Sequence, residues 1–144
     1  MPVSAPVSPS TDPIDSRPIR AEDAVELWLP ATSRHLRLAR LAAAGLATDL
    51  GFSVDEIEDL RLAVDEACAV LVESAADNAR LDLVYRSEDD AIVIDGRCPS
   101  VNGALPALHA VVEAILHTTL DEYQVYRDGE SNAFRLVKRS ASRG

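Results

Sequence analysis

A chain of 144 residues is long enough to bury a core within one compact domain. Its 24 acidic and 14 basic residues leave a formal charge of -10, which argues against direct nucleic-acid binding and suits either a basic protein partner or solubility alone. Cys68 and Cys98 do not fit a disulfide framework or the common zinc spacings, and His35, His109 and His117 lack the one-turn spacing of a helical metal pair, so no metal ligand set is expected.

No early stretch resembles a signal peptide and no apolar run could span a bilayer, so a cytoplasmic protein without membrane contact is expected. Residues 1–20 are rich in Pro and Ser. Pro2, Pro6, Pro9, Pro13 and Pro18 break any helix and few large apolar residues accompany them, so this segment is expected to be a disordered tail. Residues 21–144 are expected to form a single domain.

Val25, Leu27 and Leu29 alternate with polar Glu26 as a half-buried strand stopped by Pro30, with Trp28 expected in packing. Thr32 and Ser33 are suited to cap a first helix, rich in alanine and arginine, that runs to about Leu50 and stops at Gly51. Ser53 and Glu56 have capping-box spacing and open a second helix from Val54 to about Ser74. Its apolar stripe is Ile57, Leu60, Val64, Cys68 and Leu71, which makes Cys68 a core thiol. Leu81, Leu83 and Tyr85 alternate as a strand, Ser87 to Asp90 turn the chain, and Ala91 to Ile94 return, ending at Asp95-Gly96. Arg97 to Leu105 reads as a loop that leaves Cys98 exposed. A third helix follows over about Pro106 to Thr119, then strands near Glu122–Tyr126 and Ala133–Lys138 around a turn at Asp128-Gly129. The order β-α-α-β-β-α-β-β predicts an α+β fold, a two-layer sandwich of a mainly antiparallel sheet with helices on one face.

Glu66 is the most informative polar residue. It points away from the apolar stripe, yet Leu62 and Val70 lie one turn before and after it on the same side. Two branched aliphatics around a carboxylate predict that a ligand, another element or a partner covers this face. Asp65 is not its catalytic twin, because consecutive helical residues point about 100° apart.

The run Asp59-Leu60-Arg61-Leu62-Ala63-Val64-Asp65-Glu66-Ala67-Cys68 resembles the N-box helix of the Bergerat-fold (GHKL, HATPase_c) ATPases. It is similar to their anti-sigma factor and serine-kinase branch, the actinobacterial stress-sigma form being nearest, and the element order from about Ala24 to Arg139 agrees. The resemblance implies ATP with Mg²⁺ as the fold's ligands and places the general base at Glu66. The family's Mg²⁺-ligating asparagine is Val70 here, which has no oxygen to offer a hard cation. Asp95 stands in the place of the adenine-binding aspartate and is followed by Gly96, but Arg97 and Pro99 occupy expected glycine positions. Of the second glycine box only Gly103 remains, before Ala104, Leu105 and Pro106. Asp95, Gly96, Arg97 and Gly103 are therefore the nucleotide-side candidates of a degenerate site, with Arg97 a replacement positive charge.

By the same resemblance the first helix meets protein partners through Arg40, at the family's separation from the glutamate, and through Arg37. The implied function is an anti-sigma factor that sequesters an alternative sigma factor and is relieved by an anti-anti-sigma factor of STAS type. A homodimer is implied as well. The alternatives are an active ATP-dependent serine kinase acting on the antagonist, and a domain of the same fold with changed partners.

Overall fold

The computed structural model describes residues 24–141, apart from 102, 104 and 106. The tail expected over residues 1–20 and Pro106 lie outside the described residues. The strands are β1 (Ala24–Pro30), β2 (Arg80–Glu88), β3 (Ala91–Pro99), β4 (Glu122–Asp128) and β5 (Ser131–Arg139). The helices are α1 (Leu36–Asp49), α2 (Val54–Glu73) and α3 (Ala110–Thr119), with a short 3-10 turn at Ser33–His35 before α1. All strand pairs are antiparallel, in the order β1-β2-β3-β5-β4. The expected α+β order is the observed one.

Alternation along each strand sends one set of side chains to the helices. Leu81, Leu83 and Tyr85 of β2, Ile92, Ile94 and Cys98 of β3, and Phe134 and Leu136 of β5 meet Leu60, Val64, Ala67, Cys68 and Leu71 of α2 in one core. Each large side chain buried there contributes about 1.5–3 kcal/mol. On α1, Ala39, Ala43 and Ala47 are buried one turn apart, so small side chains let the helix lie close on its neighbours. The Tyr85 hydroxyl donates to the Ala39 carbonyl at 3.0 Å and fastens α1 to the sheet.

The capping box forms as expected. The Ser53 amide donates to Glu56 Oε1 (2.8 Å) and the Glu56 amide to Ser53 Oγ (3.1 Å). The junction before it turns on Gly51, whose φ of +84° is one that residues with a side chain rarely adopt.

Four expectations are corrected. The first helix starts at Leu36: the Thr32 hydroxyl does not cap it but pairs with His35 Nδ1 at 2.6 Å beside the 3-10 turn. The third helix starts at Ala110, about one turn later than its apolar pattern suggested. β3 does not end at Gly96 but stays paired with β5 through Arg97–Ala133, Cys98–Asn132 and Pro99–Ser131, so its period turns Cys98 inward and buries it completely. Trp28 is 60% exposed, because its alternation places it on the sheet face without helices, where the Arg80 guanidinium lies 5.0 Å from its ring centre.

Candidate functional site

α2 is the element around which the candidate residues are arranged. Its twenty residues, opened by the capping box, place Asp65 and Glu66 near the middle. The turn of about 100° between neighbours sends the two carboxylates to different edges.

Asp65 lies on the α1 edge, where Arg40 Nη1 donates to its Oδ1 at 2.5 Å. Both side chains are partly exposed, so the pair is worth about 0–1 kcal/mol and acts mainly to fix where the guanidinium sits. Arg34 is exposed in the 3-10 turn and Arg37 on α1, with Leu38 and Leu41 following at 38% and 54% exposure. The outer surface of α1 is thus arginine interleaved with leucine, with Arg40 held at its margin by α2. Sequence reasoning set Asp65 aside, and only the contact across 25 residues shows that it orients Arg40.

Glu66 lies on the opposite edge, two turns after Asp59. Lys138 joins that edge to the end of α3, donating to the Thr119 carbonyl (2.8 Å) and reaching Asp59 (3.5 Å). At the other end of α2 the Val101 amide donates to the Ser74 carbonyl at 3.1 Å, so the chain leading to α3 starts beside the α2 C-terminus. α3 therefore runs antiparallel along the Glu66 edge. Glu66 is half-buried and has no hydrogen bond or ion pair among the described residues. Of its aliphatic neighbours, Leu62 is exposed and Val70 is buried.

The structure does not bring the nucleotide-side candidates together with Glu66. Asp95 points to the open sheet face, where Arg135 holds it through Nε (2.7 Å) and Nη2 (3.3 Å) and Arg86 through Nη2 (3.1 Å). Arg97 points the same way and pairs with Asp128 at 3.1 Å. The sheet stands between these side chains and α2. The hollow around Asp95, Gly96 and Arg97 on that face measures about 160 Å³, below the roughly 300–1,000 Å³ of ordinary ligand pockets. Gly96 itself faces the helices and is buried, and Gly103 is exposed with φ +65°.

Gly96 has a packing reason to be glycine. A Cβ built on it would lie 2.5 Å and 2.6 Å from Cζ and Cε2 of Phe134, its register partner on β5. The aromatic ring fills the cradle that the glycine opens. Both cysteines are free and fully buried, and burial pushes the Cys98 thiol up to about 11 and moves the Cys68 thiol in the same direction. No cluster of metal-ligating residues occurs among the described residues.

Set against ATP and Mg²⁺, these residues do not fit. The position one turn after Glu66 is an apolar side chain, the aspartate and arginine of β3 are paired on the wrong face, and the glycine is filled from within. Arg40, Arg37 and their leucine neighbours form a partly exposed surface of guanidinium and aliphatic groups.

Comparison with known proteins agrees with the scaffold. The model of the histidine kinase-like ATPase domain matches residues 29–97. A serine-protein kinase RsbW of Bacillus licheniformis is 30% identical over 132 residues, covering 76% of this chain and 81% of that protein. An anti-sigma-F factor RsbW of Mycobacterium tuberculosis is 32% identical over 110 residues, covering 76% of this chain and 66% of that protein. The crystal structure of the RsbU and RsbW domains of a Mycobacterium tuberculosis protein superposes with a TM-score of 0.63 at 14% identity, over 82% of this chain and 32% of that one, and shares the fold. With the N-box helix, the antiparallel sheet and these similarities in place, the chain belongs to the RsbW family.

Proposed function

We propose that this protein is an anti-sigma factor. It sequesters an alternative, stress-type sigma factor on the outer face of α1 and releases it when an anti-anti-sigma factor of STAS type competes for the same face. The observation that carries this reading is the Arg34, Arg37, Leu38, Leu41 surface with Arg40 positioned by Asp65. Arginine anchors beside exposed apolar side chains are the make-up of energetically dominant interface patches. They are also a positive island on a chain of charge -10, which suits carboxylates on the partner.

The reading includes a homodimer acting in the cytoplasm and touching neither membrane nor nucleic acid directly. No helix among the described residues is long and apolar enough to cross a membrane. Sedimentation at two protein concentrations tests the dimer.

One observation favours a serine-kinase reading: Glu66 is kept at mid-helix without a partner among the described residues. Phosphoryl transfer depends on positioning and charge stabilisation around the phosphates, and among the described residues no cation pairs with or hydrogen-bonds to Glu66.

The deciding experiment is affinity capture of the tagged protein from extract of its own cells, with partners identified by mass spectrometry. Recovery of a sigma factor from the wild type, lost with Arg40→Glu, is the expected result. Capture without any sigma factor, from cells that express it, would leave the fold with changed partners.

A further inference from the structure

β3 is where the chain parts from the nucleotide site that its fold suggests. The strand remains paired to β5 as far as Pro99, so Arg97 to Pro99, the first part of the stretch expected as a loop, are strand. Strand geometry commits its two faces separately. Outward, on the sheet face away from α2, Asp95 is held by two arginines and Arg97 pairs with Asp128. Inward, Gly96 meets the Phe134 ring and the next inward residue, Cys98, is fully buried. From the α2 side, Val64, Ala67, Cys68 and Leu71 pack into the same core cluster, while Val70, outside that cluster, is 8% exposed. The layer between β3 and α2 is therefore closed by carbon and thiol groups of the chain itself. An adenine ring would have to displace Phe134, and a hard cation would find no oxygen at position 70.

We infer that this chain is a self-filled form of the ATPase fold: Phe134, packed on Gly96, occupies the layer that a nucleotide would need, and partner exchange on α1 proceeds without ATP. The second half rests on the anti-sigma reading, and the first half does not. A domain whose core is complete without a ligand needs none to fold or to hold its helices in place. Release of the bound factor is then governed by the relative concentrations and affinities of the competitors, with no covalent change to the antagonist.

The test uses the full chain. Thermal unfolding and titration calorimetry are run with ATP and with ADP, each with Mg²⁺ and with a chelator. The expected result is no saturable heat and a Tm shift under about 1 °C. Specific binding at a hundredfold excess over Kd would instead raise Tm by roughly 10 °C, and any saturable binding by the wild type overturns the first half. A Val70→Asn variant run alongside is expected to stay silent too. Saturable binding by that variant alone would mean that a missing metal ligand, and not Phe134, closes the site, which also overturns it. Affinity for the captured sigma factor is then measured with and without ATP. A change within about twofold is expected, and a tenfold change (about 1.4 kcal/mol) overturns the second half. If no sigma factor binds at all, the anti-sigma reading fails while the nucleotide titrations still judge the self-filled core.

Discussion

The two sides of α2 have opposite characters. Toward α1, the helix holds Arg40 through Asp65 beside exposed arginines and leucines. Toward β3 the interior is closed by Phe134 and Cys98 against Val64, Cys68 and Leu71 of α2 itself. One side is open surface with charges held in place, and the other is apolar packing with Glu66 half-buried at its edge. A binding surface can persist while an interior site fills, because the two depend on different edges of the same helix.

The most direct way to break this comparison is to empty the filled side. Phe134→Ala is expected to cost about 3–5 kcal/mol in urea unfolding, as for other buried aromatics, without changing which partner is captured. A cost under about 1 kcal/mol would show that the ring is not a structural element of the core.

On the α1 side, Arg40→Glu is expected to weaken partner affinity about 30-fold or more, the scale of an interface hot spot, while unfolding free energy changes by about 1 kcal/mol or less. Asp65→Asn frees the guanidinium without reversing its charge, and a smaller loss is expected. Equal losses in both variants would mean that Arg40 acts through α1 placement and not through contact with the partner.

Ser53→Ala removes an acceptor from the first turn of α2 and is expected to cost about 1 kcal/mol, read by chemical denaturation. Both sides of the comparison hang on this helix, so a loss of stability with partner affinity unchanged would show that its register survives a weakened cap.

The smallest effect concerns pH. The Glu56 carboxylate is held below its ordinary value of 4.5, first by the Ser53 amide and next by the Ala141 amide, which donates to Oε2 at 2.7 Å. A folded value below the unfolded one means that this stabilisation is complete above about pH 4.5 and is lost as pH falls through the folded value. Denaturation of wild type and Glu56→Gln across pH 3 to 7 should show the wild-type advantage shrinking toward acid. An advantage independent of pH would remove the carboxylate from the account.

Local features were legible. The capping box needs only Ser53 and Glu56 three residues apart, and the inward faces of β2 and α2 follow from periods of two and 3.6 residues. Trp28 was misread because alternation separates the faces of a strand without saying which one the helices cover. Cys98 was misread because β3 ends where β5 stops pairing with it, more than thirty residues further on. Of the candidate site, Glu66 and the arginines of α1 were visible as residue types, and Val70 was visible as an apolar substitute. That Asp95 and Arg97 face away from α2 was not visible, since a one-residue shift in where the strand ends exchanges nothing in composition.

By itself the sequence determined the secondary elements, their order and the apolar stripes that must meet, because these depend on neighbours within a turn or a strand. The tertiary structure alone decided which sheet face lies open, that Asp65 secures Arg40 and that Phe134 fills the space above Gly96. Each of these is a contact between segments distant in the chain, and its outcome depends on register and face, which local periodicity leaves free.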